Sequence, residues 1–173
     1  MTWTAPPVPR DNTPRQGTER ELLQAWLEFH RRTLLGKCAG LTGEQLRTAA
    51  VPPSDLTLLG LVRHMTDVER WWFRTVSARE PVADVYYTDD NPDADFLALE
   101  SVPPAEALTA FTAECAAADA AVAALPLDSL APHPTTGVET SLRWVYLHMV
   151  EEYARHNGHA DLIRERIDGA TGD

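Results

Sequence analysis

Residues 141–168 read SLRWVYLHMVEEYARHNGHADLIRERID. At about 100° per residue, positions 142, 145, 149, 152, 156, 160, 163 and 167 fall on one side of a helix. The steps alternate three and four, which is the seam of a helix packed in a bundle. Leu142, Val145, Met149, Ala160, Ile163 and Ile167 make that seam apolar, and Glu152 and His156 interrupt it in the middle. The helix is expected to open near Ser141 and to stop at Gly169, since glycine takes the left-handed turn that ends a helix.

Three further segments carry the same periodicity. Thr18 and Glu21 form a capping box before Leu22, Leu23, Trp26, Phe29 and Leu34, which predicts a first long helix. Leu58, Leu61, Met65, Val68 and Trp72 predict a second over about 57–78. Pro103 or Pro104 opens a third, Ala-rich and therefore thin. Between the first two, Thr42 and Gln45 cap one short turn that Pro52 and Pro53 exclude from growing. No run alternates strongly enough to predict a strand. The fold class is all-α, a four-helix bundle with a long loop between its second and third helices. Residues 1–16, rich in proline, read as an extended arm, and 17–173 as one bundle domain.

The composition agrees. Hydrophobic residues at 44% and charged residues at 24% suit a globular chain, and 173 residues can bury a core without staples. A formal net charge of −11 argues against a nucleic-acid partner, because phosphate contacts need clustered Lys and Arg. No apolar run approaches a membrane span of ~20 residues, and the opening residues hold no secretory h-region, so a cytoplasmic protein is expected. Cys38 and Cys115 form no metal or redox spacing and read as small buried residues.

A carboxylate in a bundle core is costly unless it is paired or coordinates a metal. Glu152 and His156, four apart, can reach one point. They form either two legs of a metal site or a buried hydrogen-bonded pair. A third ligand must come from another helix, and His64 lies near the edge of the second helix's apolar stripe. Two nitrogens and one carboxylate would leave an open position, as in catalytic zinc sites. His148 and His159 share the same face and are candidates for orienting the ligands. His30 and His133 read as surface or loop residues, and Glu69 as the buried partner of an arginine. Trp71 and Trp72 read as core and pocket wall. Tyr86, Tyr87 and Phe96, in the loop over 79–102, either cover a pocket or simply pack. Spacing does not fix whether Asp67 faces that pocket or water.

The pairing of LGLVRHMTDVERWWF (59–73) with LRWVYLHMVEEYARHNGHADLIRE (142–165) resembles the DinB-like superfamily, which includes the mycothiol-dependent maleylpyruvate isomerases. The likeness covers most of 18–169. It implies one divalent metal ion, zinc or nickel, on a histidine of the second helix and a pair four apart on the last. Those positions are His64, Glu152 and His156 here. It further implies transfer or isomerisation with a low-molecular-weight thiol such as mycothiol, and a small-molecule electrophile as substrate. The isomerases carry a second domain after the bundle, and this chain stops at Asp173, so maleylpyruvate itself is not the expected substrate. The thin third helix would allow a homodimer, as superfamily members often form. A non-catalytic metal-binding bundle for stress response or sensing, and a hydrolase using metal-bound hydroxide, are the alternative readings.

Overall fold

The structure is a computed structural model describing residues 2–172. Helix α1 spans Glu19–Cys38, α2 Gly43–Leu46, α3 Leu58–Glu69, α4 Pro104–Val122 and α5 Leu142–Asp168. The capping boxes at Thr18/Glu21 and Thr42/Gln45 are both formed, and Gly169 ends α5 at φ +80°. The long helices pack as a bundle: α1 lies along α5, α4 lies against α3, and α3 also meets α1 and α5. Leu34, Leu58, Leu61, Met65, Phe73, Phe111, Tyr146 and Tyr153 fill the centre. Among the described residues no helix is long and apolar enough to cross a membrane.

Two elements depart from the sequence reading. The segment expected as one α-helix over 57–78 changes character after Glu69. It continues as π-helical turns over Arg70–Ser77, where the Ala78 N–H donates to the Phe73 carbonyl five residues back. The wider turn buries Phe73 and Val76 while leaving Trp71 and Trp72 half-buried at the bundle's edge. Arg70 and Arg74 both donate to the buried Glu114 of α4, which anchors this stretch. The second departure is a small antiparallel hairpin, β1 (Leu130–Pro132) with β2 (Glu139–Ser141). Its strands are too short to show alternation. A turn at Gly137, φ +71°, closes it.

The arm before α1 is stitched down at several points, among them Arg32, which donates to the Pro9 carbonyl and to Asp11. Ala5 is buried, its N–H donates to the Leu41 carbonyl at 2.9 Å, and its own carbonyl accepts from Gly40 at 2.8 Å. Both cysteines are buried and free, and burial pushes the Cys38 thiol up to about 12.

A polar clamp crosses the core. Glu69 is fully buried and accepts from Arg31 Nε and Nη2, both at 2.7 Å, and from the Tyr153 hydroxyl at 2.7 Å. Arg31 also donates to both oxygens of Asp119 at 3.0 Å. Burial works against the Arg31 charge, but Glu69 beside it raises its pKa well above the ordinary value. The clamp joins α1, α3, α4 and α5, and the arginine partner expected for Glu69 is Arg31.

Candidate metal centre

The seam on α5 is wider than the wheel implies. Tyr146, Tyr153 and Asn157 are buried beside it, while Glu152 and His156 lie at its edge, half-buried. The buried side of the helix is centred nearer Tyr153 and Asn157, one position further round, so Glu152 and His156 fall at its edge and not in the deep core.

The structure brings His64, Glu152 and His156 together, with one ligand atom from each within 4.8 Å of the others. Glu152 Oε2 stands 3.4 Å from His156 Nε2. A tetrahedral ion with bonds near 2.0–2.2 Å wants ligand atoms roughly 3.4 Å apart, so this pair already has the right spacing. The His64 and His156 rings meet edge-on, with centroids 4.8 Å apart.

His64 is oriented by a residue that sequence reasoning missed. Its Nδ1 lies 2.7 Å from Asp95 Oδ2. A carboxylate accepts there, so Nδ1 carries the proton and Nε2 keeps its lone pair free. This carboxylate–histidine arrangement is how proteins fix the tautomer of a metal-binding imidazole. Phe96 stacks on the same ring at 5.2 Å. Burial first, then the neighbouring His64 and His159, push His156 down to about 4. It is therefore neutral near pH 7, as a metal ligand must be. Its Nδ1 is buried and has no hydrogen-bond partner among the described residues. Two imidazoles, one of them with a buried nitrogen that lacks a partner, and one carboxylate are together a donor set that fits a divalent ion.

His148 lies on the other side of Glu152, its Nε2 3.9 Å from Oε1, and stacks on Trp144 at 4.8 Å. His148, Glu151 and Glu152 form a second group of the same compactness. All three come from one helix, however, and the exposed Glu151 is held by Arg155 at 3.0 Å. His159 touches His156 only ring to ring, at 5.4 Å, and stays outside both groups. His133 packs edge-on against Trp71 and Trp72 in the hairpin loop. His30, expected at the surface, is instead half-buried on α1, and burial lowers its pKa. It is held there by Asn157, whose side-chain amide donates to the His30 carbonyl at 3.1 Å.

Beside His64 a cavity of about 540 Å³ opens, walled by Asp67, Trp71, Trp72, Tyr87 and Asp95. The loop that forms its outer wall is fastened by one row of α3. Asp67 accepts the backbone N–H groups of Val85, Tyr86 and Tyr87 at 2.6, 2.9 and 2.9 Å. Arg63 donates to the carbonyls of Leu97 and Ala94 at 3.0 and 2.8 Å, with Tyr86 under its guanidinium. Asp67 thus faces the cavity and holds the loop at once. Of the three loop aromatics, Tyr87 walls the cavity, Phe96 backs His64, and Tyr86 packs under Arg63.

The chain matches no curated protein sequence. One family model does match, that of the Mycothiol-S-transferase family, over residues 22–169. The span takes in all the long helices, the loop and every residue of the candidate centre. The chain therefore belongs to the Mycothiol-S-transferase family, within the DinB-like superfamily that its two helical motifs resemble.

Proposed function

We propose that the chain is a divalent-metal-dependent S-transferase that joins a mycothiol-type thiol to a small electrophile, with His64, Glu152 and His156 as the metal ligands. One observation carries the reading: ligand atoms from two separate helices converge within 4.8 Å, and one of the three residues, His64, lines a 540 Å³ cavity. A closed structural site would not need the cavity, and a thiol-transfer site does. Zinc or nickel suits a set of two imidazoles and one carboxylate.

Held by His64, Glu152 and His156, a divalent ion would favour the thiolate form of a neighbouring thiol, which is the nucleophile. The chain's own residues do the rest. Asp95 and Phe96 hold His64 in one orientation. Glu152 supplies the anionic oxygen, and the half-buried, neutral His156 the second nitrogen. His148, the histidine nearest Glu152 outside the ligand set, takes the thiol proton. The sulfur then forms a bond to the electrophilic carbon with its electron pair. The leaving group departs with the pair of the broken bond. Trp71, Trp72 and Tyr87 keep bulk water from the reacting groups.

Elemental analysis of the wild type beside His64→Ala, Glu152→Gln and His156→Ala tests the ligand set. About one divalent ion per chain is expected in the wild type and a large loss in each variant, because a three-residue site rarely survives losing a ligand. A wild type that stays metal-free after reconstitution with zinc and nickel would refute the centre. A His156→Ala protein that keeps its metal would refute the ligand set. Thioether formation from mycothiol and monobromobimane, followed by mass spectrometry, then tests the transfer itself.

A further inference from the structure

The cavity beside His64 carries an excess of one charge. Asp67, Asp84, Asp89 and Asp95 all line it, and no lysine or arginine does. Two arginines are engaged nearby, outside the lining, and keep their charge. Arg63 is spent on the loop carbonyls of Ala94 and Leu97, and Arg70 on Glu114 and the Ala83 carbonyl. Asp67 and Asp95 have structural partners, but Asp84 and Asp89 accept no hydrogen bond among the described residues. Burial, and then the Asp67 charge, raise the Asp84 carboxyl above its ordinary value, with Arg70 opposing.

A bound divalent ion would not reverse this field. Its two positive charges meet Glu152 as well as the aspartates, and the negative groups remain in excess even with Asp84 uncharged. A thiolate in the centre would add to the excess. Set among these carboxylates are the rings of Trp71, Trp72 and Tyr87. Aromatic faces attract cations through their quadrupole, and carboxylates in a low-dielectric cleft add to that attraction. An anion of the same shape meets only opposition.

We propose that this cavity selects its ligand by charge, taking a small organic cation such as an ammonium-bearing electrophile and rejecting anions. Naming the ligand as the electrophile rests on the S-transfer reading; the charge selection itself does not.

The test is equilibrium binding to the zinc-loaded full chain, read by saturation-transfer NMR titration with phenyltrimethylammonium and with benzenesulfonate. Both probes carry one ring and a permanent charge, and a sulfonate is a poor metal ligand. The cation is expected to bind at least about tenfold tighter, an advantage that salt weakens as expected for a partly screened charge. Asp84→Asn/Asp89→Asn is expected to bring the two probes within about threefold of each other, since it removes the carboxylates that have no other partner. Failure of the cation to bind at millimolar concentration overturns the inference. So does a sulfonate that binds as tightly as the cation, or a preference unchanged in the double variant. Turnover is read separately, as the rate above the protein-free background with a thiol and a trimethylammonium-substituted bromobimane, whose bromide is the leaving group. Charge-selective binding without thioether would leave this inference standing and sink S-transfer. Thioether formed with no charge preference would do the reverse.

Discussion

Replacing Arg31 by methionine is expected to destabilise the fold sharply. Glu69 is fully buried and has three hydrogen bonds, two of them from Arg31. Arg31→Met leaves its carboxylate in the core with only the Tyr153 hydroxyl. Breaking a buried ion pair from one side costs about 3–5 kcal/mol, because the remaining charge has lost its compensation. The outer partner Asp119, whose side chain is half-exposed, adds about 1 kcal/mol or less. Tyr153→Phe, which removes one hydrogen bond to a charged group, is expected to cost about 1.5–3 kcal/mol. Urea unfolding measures both, provided that the slope stays constant. At about 2–4 °C per kcal/mol, Arg31→Met should lower Tm by roughly 6–20 °C. Arg31→Met/Glu69→Leu removes both charges and fills the space with apolar groups, so it should recover most of the loss. A single variant that loses less than about 1 kcal/mol, or a double variant worse than the single, would refute the reasoning, since the cost would not then come from a stranded charge. Glu69 shares its helix with His64 and Tyr153 adjoins Glu152, so the clamp also sets the two helices that carry the proposed ligands against each other.

Asp95→Asn is expected to weaken metal affinity by about 10–100-fold while leaving the fold intact, because it removes the carboxylate that orients His64; competition with a chelator reads it. His133→Ala, by contrast, should leave metal content unchanged, as His133 meets only the tryptophans. In metal-free protein, His156 titrates near 4 when folded and near its ordinary 6.5 when unfolded. Between those values the unfolded chain binds the extra proton, so stability is full above pH 6.5 and falls as pH drops toward 4, by about 3 kcal/mol at most. The difference between wild type and His156→Asn across that window isolates the effect, and parallel curves would sink it. Gly60→Ala gains about 1 kcal/mol of helix propensity. The new methyl, however, would stand 2.8 Å from the Phe96 ring that backs His64. Overpacking of about 1–3 kcal/mol is expected to win, giving a net loss in thermal unfolding.

Two halves of the site were unequally legible in the sequence, and the reason is physical. His64, Glu152 and His156 stand on helices, where a period near 3.6 turns spacing into direction. A polar residue that breaks an apolar stripe can therefore be found by counting. Even there counting has limits. It put Glu152 and His156 in the deep core, whereas packing gave that depth to Tyr153 and Asn157 and left the pair on an outer wall. It also could not foresee the π-helical turns after Glu69, since one extra residue per turn leaves no mark on a short segment. The loop has no period to count. It offers Asp84, Asp89, Asp90, Asp93 and Asp95 within twelve residues, and nothing local separates the one that orients His64 from the rest. That choice is made from across the gap, by Gly60, Arg63, His64 and Asp67. Gly60 leaves room for Phe96, Arg63 ties down two carbonyls, Asp67 gathers three N–H groups, and His64 meets the Asp95 carboxylate. The useful signal was thus on the helix: small, basic and acidic residues on one row have no reason to share a face unless they hold something irregular. On the proposed reading, metal capacity is written into the helices while selectivity is written into the loop. Substitutions at Asp84 or Asp89 should change what binds without changing whether metal does.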